Sequence, residues 1–265
     1  MKEIMSERAI TDFYTEGYYG ERLRQGQEVN AKIALPILQN AINMKTIKSA
    51  LDIGSGYGFL LSKLSSKYSI AVTGVELAKA EAEYSRKTLG ITTYSDLADI
   101  ERSKQFDLVT MLEVIEHIPN PRDFVSAAAA LVRPGGYLVI GTDNFDSSVV
   151  KTLGPKFPKW IPHQHVSLFT HETLPILARL KGFDVFALRS YTPWELTARA
   201  FIHRCSRGRG GARDFDFSSE VATENSRRYK YFGVRRTLSP LWARLTVSID
   251  LTGEMMMLFL KRIET

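Results

Sequence analysis

Residues 51–60 read LDIGSGYGFL: an apolar run, three glycines at alternate positions, then the first residues of a helical pattern. The run Ala50–Ile53 is predicted to be a buried strand and the pattern from Phe59 a helix, so the glycines form the turn between them. Gly54, Gly56 and Gly58 can take backbone angles closed to other residues and let a ligand approach the main chain. A strand, a glycine turn and a helix N-terminus together suit a nucleotide-like ligand, although the same turn also serves as a plain strand-to-helix link.

The surrounding chain repeats this alternation. Strands are predicted at Ala50–Ile53, Ile70–Glu76, Ile91–Tyr94, Phe106–Met111, Tyr137–Gly141 and Phe183–Arg189, and helices at Phe59–Ser66, Ala78–Leu89, Pro121–Val132 and His171–Lys181. Pro134-Gly135-Gly136 reads as a turn feeding a strand, and Gly182 as a helix stop. The cap of the helix near 171 is open between Thr170 and Thr173, because Pro175 suits a first turn. Gln27–Met44 has a helical pattern interrupted by Pro36, and Met255–Lys261 reads as a final strand. No internal repeat is present.

Composition sets the outer bounds. The 265 residues are 44% hydrophobic and 24% charged, ordinary for a globular chain of one domain with appendages. No apolar run is long enough to span a bilayer, and the mixed-charge start, MKEIMSERAITDFYTEGYYG, has no apolar signal region. Cys205 is the one cysteine, which excludes an internal disulfide and a cysteine metal cage; a cytoplasmic protein is the expectation. The net charge is +6, and between Pro193 and Asp250 eleven Arg/Lys stand against six Asp/Glu. The basicity therefore belongs to one segment.

Two acids narrow the choice of ligand. Glu76 closes the second strand about twenty residues past the loop, where a carboxylate accepts hydrogen bonds from a ribose diol. That alone would also suit NAD, but the third glycine of the dinucleotide pattern is replaced by Phe59. Asp52, at the end of the first strand, would repel a pyrophosphate and suit a cationic amino group. S-adenosylmethionine carries a cationic amino acid and a cationic sulfonium.

The segments LDIGSGYG, VTGVEL, FDLVTMLEVIEHIPNP and LVRPGGYLVIGT occur in order at the spacing of class I S-adenosylmethionine-dependent methyltransferases. The chain resembles the branch that includes ubiquinone-type and natural-product small-molecule methyltransferases, over roughly Ala50 to Arg189 and the last strand. The resemblance implies an α/β fold: a Rossmann-like seven-stranded sheet of order 3-2-1-4-5-7-6, last strand antiparallel, with helices on both faces. It implies four regions: a helical lid (1–48), the cofactor-binding core (49–192), a helical, basic insertion or cap (193–252) and the last core strand (253–265). An insertion of that length departs from the family and concerns the acceptor side.

Position by position, the resemblance puts Asp52, Gly54, Ser55 and Gly56 at the amino-acid end of the cofactor, and Gly58 at the opening of the helix. Glu76 is expected to hold the ribose hydroxyls, Leu77 to pack on the adenine, and Asp96 with Leu97 to meet the adenine amino group. Leu112 and Glu113 are expected to border the cofactor and acceptor pocket. The resemblance also implies that the N-terminal segment forms a lid, in which Tyr14 and Tyr19 would face the sulfonium through cation–π attraction.

A sulfonium is already an activated leaving group, so alignment of the acceptor and removal of its proton are the protein's tasks. Three histidines are candidate bases: His117 in EVIEHIPNP, and His163 and His165 in WIPHQHVSLF. His163 and His165 would share one face of an extended segment; no third ligand is obvious, so no metal is expected. The function that follows is methyl transfer by in-line displacement to a small-molecule acceptor, foremost the hydroxyl of a metabolite, sugar or secondary metabolite. Two competitors stay open. The Arg- and aromatic-rich insertion would suit RNA or a lipid-linked substrate at an anionic membrane, with Leu238, Leu241, Trp242 and Leu245 on one helical face. A cofactor-binding partner protein without transfer activity is the other.

Overall fold

The computed structural model describes residues 21–101, 103–160, 165–180, 182–206, 232–248 and 251–263. Seven strands form one sheet: β1 (Ser49–Ile53), β2 (Ala71–Val75), β3 (Thr92–Tyr94), β4 (Phe106–Leu112), β5 (Val132–Asp143), β6 (Phe183–Tyr191) and β7 (Met255–Arg262). Their order is 3-2-1-4-5-7-6, as the resemblance implies. Strands β1 to β5 pair in parallel, while β7 runs antiparallel between β5 and β6.

Helix α1 (Glu21–Ala41) precedes the sheet, and α2 (Phe59–Tyr68), α3 (Lys79–Leu89) and α4 (Pro121–Ala130) are crossovers. After β5 come α5 (Ser148–Leu153) and α6 (Thr173–Leu177); between β6 and β7 come α7 (Trp194–Ser206) and α8 (Phe232–Thr246). One apolar core joins Val29, Ile33 and Ile37 of α1 and Leu60 and Leu64 of α2 to Leu108, Val139 and Phe259 of the sheet. The opposite face carries Val125 and Ala128 of α4 and Leu174 of α6 on Leu51, Val109 and Leu258. A third, smaller core packs Val149, Val150 and Leu153 of α5 with Phe157 and Trp160 against Leu196 and Ala200 of α7. Among the described residues no helix is long and apolar enough to cross a membrane.

Local chemistry explains where boundaries differ from expectation. Helix α1 starts earlier and passes through Pro36. Helix α4 stops at Ala130, before the predicted Val132, because Leu131 offers its carbonyl to Phe106 N and Val132 pairs with Phe106. Strand β5 therefore begins at Val132, and Pro134-Gly135-Gly136 is an excursion within it, with Gly135 at φ +73° and the register shifted before Tyr137. The helix expected over His171–Lys181 is the five-residue α6. Its N-cap is Glu172, without a side-chain cap bond, and the two expected caps bond one another across the turn before it: Thr173 Oγ1 accepts from Thr170 N at 2.9 Å, and Thr170 Oγ1 accepts from Thr173 N at 3.2 Å.

At the edge where β1 and β4 begin, Asp107 Oδ2 accepts from Lys48 N and Ser49 N, both at 2.7 Å, and from Ser49 Oγ at 3.1 Å. Arg133 Nε donates to its other oxygen. Burial pushes this carboxyl up, but the Arg133 hydrogen bond and the Lys48 and Ser49 amides outweigh it and hold it below the usual carboxylate range. A depressed pKa stabilises the fold above the unfolded value, about 4, and the gain is lost as pH falls through the folded value. Asp107→Asn should therefore lower unfolding free energy by about 1–3 kcal/mol at pH 7, with the gap to wild type closing below about pH 4 in urea titrations.

Candidate functional site

The glycine turn lies at the edge where the parallel strands end. Gly54 N and Ser55 N both donate to Val75 O, at 2.9 and 3.0 Å, which lashes the turn to β2. Gly54 and Gly56 stand at φ +71° and +53°, and a methyl group on Gly54 would meet Val114 Cγ2 at 2.4 Å. The turn thus needs glycine for its angles and for its clearance. Asp52 is buried beside it and accepts from Thr110 Oγ1 at 2.6 Å. Burial pushes its pKa up to about 7, with Glu76 adding to the rise against the Thr110 bond. Ser55 Oγ is buried and makes no hydrogen bond among the described residues.

Glu76 closes over the same turn. Its carboxylate accepts from Gly56 N and Ala78 N, both at 2.7 Å, while burial raises its pKa. Leu77 beside it is exposed. Asp96 caps the 3-10 turn Leu97–Asp99, accepting from Ala98 N at 2.8 Å, with Asp99 reciprocating on Asp96 N; Leu97 is half-buried within that turn. Helix α1 reaches across the site. Gln27 Oε1 accepts from Tyr57 N and Gln27 Nε2 donates to Glu81, both at 2.9 Å, and a methyl on Gly56 would strike the Gln27 amide at 2.0 Å. Burial pushes Glu81 up to about 8.

Beyond β4, the chain builds a cluster of charges. Leu112 ends the strand half-buried, and Glu113 follows in the left-handed region at φ +56°. That conformation is costly for a non-glycine residue, and here it turns the carboxylate toward Asn30 Nδ2, at 3.2 Å, and Lys159 Nζ, at 3.7 Å. Glu116 and His117 belong to the 3-10 turn Ile115–His117. The His117 and His165 rings meet edge-on with centroids 5.0 Å apart. One ligand atom each of Glu116, His117 and His165 lies within 4.8 Å of the others.

The charges in this cluster are unequal in number. Glu116 is fully buried, donated to by Thr142 Oγ1 at 3.0 Å; burial, then the Asp143 and Glu113 charges, raise its pKa well above the carboxylate range. Register places Asp143 opposite Met255, so the last residue of β5 meets Glu254, just before β7. Lys159 Nζ reaches both, at 2.5 Å from Asp143 and 2.8 Å from Glu254. Burial opposes its charge, yet Asp143, Glu254 and Glu113 overcome that and hold the ammonium well above the ordinary lysine value. His165 Nδ1 lies 3.8 Å from Asp143 Oδ2, too far for a hydrogen bond, and is otherwise without one among the described residues. Burial, with His117 and Lys159 beside it, pushes His165 down to about 4. Tyr191, at the end of β6, is pushed above the usual phenol value by burial and by the Glu113 and Glu254 charges.

The structure thus gathers Asp52, Gly54, Ser55, Gly56, Gly58, Glu76 and Leu77 around one turn, and Leu112, Glu113, His117 and His165 around the neighbouring strand end. Tyr14, Tyr19 and His163 lie outside the described residues. Gln27, Glu81, Glu116, Asp143, Lys159 and Glu254 belong to the site and were not singled out in the sequence. Glu116 carried a readable signal, as a charge inside the apolar run MLEVI-EH, and Asp143 as an acid ending a strand; Lys159 carried none.

A protein family described as "Methyltransferase domain" matches residues 23–188. A ubiquinone biosynthesis O-methyltransferase of Coxiella burnetii is 32% identical over 119 residues, which is 42% of this chain and 50% of that protein. One from Marinobacter nauticus is 36% identical over 108 residues, 37% and 44% of the two chains. The chain thus spans about half the length of the curated relatives it matches. Among solved structures, Haemonchus contortus phosphoethanolamine N-methyltransferase 2, in complex with S-adenosyl-L-methionine, aligns with TM-score 0.60 at 16% identity, covering 100% of this chain and 61% of that one. A SAM-dependent methyltransferase of Thermotoga maritima aligns with TM-score 0.54 at 14% identity over 96% and 92%. At these identities the structural likeness is one of fold.

Lys159 is the one cation facing Asp143 and Glu254 among the described residues, and Lys159→Met would leave two buried carboxylates without it. Unfolding free energy should fall by about 3–5 kcal/mol at pH 7. Lys159→Arg should recover most of the loss, as read from denaturant midpoints.

Proposed function

The chain belongs to the methyltransferase-domain family, and from that premise we propose that it transfers the methyl group of S-adenosylmethionine to a hydroxyl of a small-molecule acceptor. The observation that carries this reading is the pairing of Asp52 and Glu76 across a glycine turn whose buried Ser55 Oγ has no hydrogen bond among the described residues. The cradle fits a cationic nucleoside. Asp52, ionised, would hold the amino group; Gly54, Ser55 and Gly56 would line the amino-acid chain. Glu76 would receive the ribose hydroxyls, exposed Leu77 would cover the adenine, and Asp96 keeps a carboxylate oxygen beyond its cap for the adenine amino group. When bound, adenosylmethionine supplies a methyl group on an activated sulfonium.

The acceptor side would be the strand-end cluster of Glu113, Glu116, His117 and His165. As a general base His165 has a weakness: a ring held near pKa 4 is poorly matched to a hydroxyl proton. Its neutral ring is, however, well suited to donate a lone pair. The absence of a metal was the expectation from sequence; the Glu116–His117–His165 group favours a second reading of these side chains. They would hold a divalent cation, whose chemistry there is polarisation of the acceptor oxygen. The donor set fits, since His165 Nδ1 has no hydrogen bond among the described residues and Glu116 is crowded by Asp143 and Glu113. O-methylation is preferred over N-methylation because an oxygen acceptor needs such help with its proton.

Two measurements test these assignments. In the ligand-free fold Asp52 is protonated below about pH 7, and a cationic amino group favours its ionised form, so binding expels a proton. Affinity for adenosylhomocysteine by calorimetry should rise up to about tenfold per pH unit from pH 5.5 to 7 and level off above. Asp52→Asn should flatten the curve, and flat wild-type affinity would remove Asp52 from the amino-acid end. Chelation should lower methyl transfer by about tenfold or more, with recovery on Mg²⁺ or Mn²⁺ addition. Mn²⁺ magnetic resonance should show binding that His117→Ala and His165→Ala lose. Full activity after chelation, with no Mn²⁺ bound, would return the histidines to proton transfer.

A further inference from the structure

The side chain of Gln27 occupies a place that suits another group. Its amide lies against Gly56 and fills the space that a side chain at that position would need. Oε1 accepts from Tyr57 N, one residue before Gly58, the cap of α2, and Nε2 donates to Glu81 Oε2, both at 2.9 Å. The rest of the turn is satisfied from nearby strands. The Gly54 and Ser55 amides donate to Val75 O, the Gly56 amide to Glu76 and the Gly58 amide to Ser55 O. Of these five amides only that of Tyr57 is held from α1.

A carboxamide has the planar shape of a carboxylate, and the two neighbours of the Gln27 amide could hold either. Tyr57 N donates to any oxygen, and an anion gains further from lying at the start of a helix. Glu81, in the first turn of α3, is 1% exposed, and its Oε1 has no hydrogen bond among the described residues. Burial pushes it up to about 8, with the Glu76 charge adding and the Gln27 bond opposing, so it is protonated at pH 7. A protonated carboxyl accepts from an amide, but it can equally donate to a carboxylate, and that charge-assisted bond is the stronger one. Adenosylmethionine carries a carboxylate next to its ammonium. Asp52 suits the ammonium and repels the carboxylate, which therefore needs donors elsewhere on the same turn.

We propose that the place between Tyr57 N and the Glu81 carboxyl receives the α-carboxylate of adenosylmethionine, and that the Gln27 amide is its internal stand-in, displaced when the cofactor binds. The assignment rests on the reading of the glycine turn as the cofactor cradle and adds a subsite to it. Helix α1 keeps its seat through Val29, Ile33 and Ile37 in the first core, so only the Gln27 side chain has to move. The carboxylate then takes over both hydrogen bonds that the amide gives up.

Calorimetry on the full chain at pH 7 separates the two halves of the ligand, using adenosylhomocysteine and 5′-methylthioadenosine, which keeps the nucleoside and lacks the amino acid. Gln27→Glu fills the place with a tethered carboxylate and should weaken adenosylhomocysteine by about tenfold or more. Gln27→Ala empties it and should bind adenosylhomocysteine at least as tightly as wild type. Both should leave methylthioadenosine affinity unchanged. Glu81→Leu should weaken adenosylhomocysteine by about tenfold, and Glu81→Gln, which keeps a donor, should recover most of that. Weaker adenosylhomocysteine binding by Gln27→Ala, or wild-type binding by Gln27→Glu, overturns the proposal. So does a parallel loss of methylthioadenosine, or a crystal structure of the adenosylhomocysteine complex with Gln27 still on Tyr57 N. Failure of the wild-type chain to bind adenosylhomocysteine at all overturns the cofactor reading itself, and this subsite with it.

Discussion

Carboxylates buried at the ends of parallel strands are the constraint on which this molecule turns. Asp52, Glu116, Asp143 and Glu254 are almost wholly removed from water, all at or just beyond one edge of the sheet. A buried carboxylate either takes up a proton or finds a cation. Asp143 finds Lys159, which Glu254 shares although burial still pushes the Glu254 carboxyl up to about 8. Among the described residues Asp52 and Glu116 have only neutral donors, the Thr110 hydroxyl for one and the Thr142 hydroxyl with a backbone amide for the other, and their pKa values rise accordingly. The edge is thus short of positive charge at two places, beside the glycine turn and beside the histidine pair. In the proposed function a cationic methyl donor would meet the first shortage and a divalent cation the second.

The fold delivers this arrangement through register. Strands β1, β2, β4 and β5 run parallel, so their last residues arrive together, and the antiparallel β7 brings its first residues to the same place. Helix α1 then crosses that edge, with Gln27 on the glycine turn and Asn30 on Glu113. The segment after β5 supplies Lys159 and His165, anchored by the small core of Phe145, Phe157 and Trp160. That core leans on α7, so the insertion between β6 and β7 is coupled by packing to the segment that carries Lys159. The left-handed turn at Glu113 sits where these pieces meet.

Much of this was legible in the chain. The glycine turn, Asp52 and Glu76 follow from local pattern, because each is encoded within a few consecutive residues, whereas the strand order and the antiparallel closing strand come from the family resemblance alone. Boundaries went astray where a distant partner decided them. Helix α4 gives up Leu131 to Phe106, and β5 starts at Val132 for the same reason. On α8, Leu238, Leu241 and Leu245 share the exposed face that their spacing predicts, while Trp242 leaves it to donate its ring N–H to Thr192 O.

The sequence by itself determined the α/β alternation and the glycine turn after the first strand, since apolar periods and glycine angles are properties of the nearby chain. Only the tertiary structure decided that Glu116, His117 and His165 share one point, that Lys159 neutralises Asp143 and Glu254, and that Gln27 reaches the glycine turn. Those side chains come from segments tens of residues apart. Their meeting depends on strand register and helix packing, and no local spacing records it.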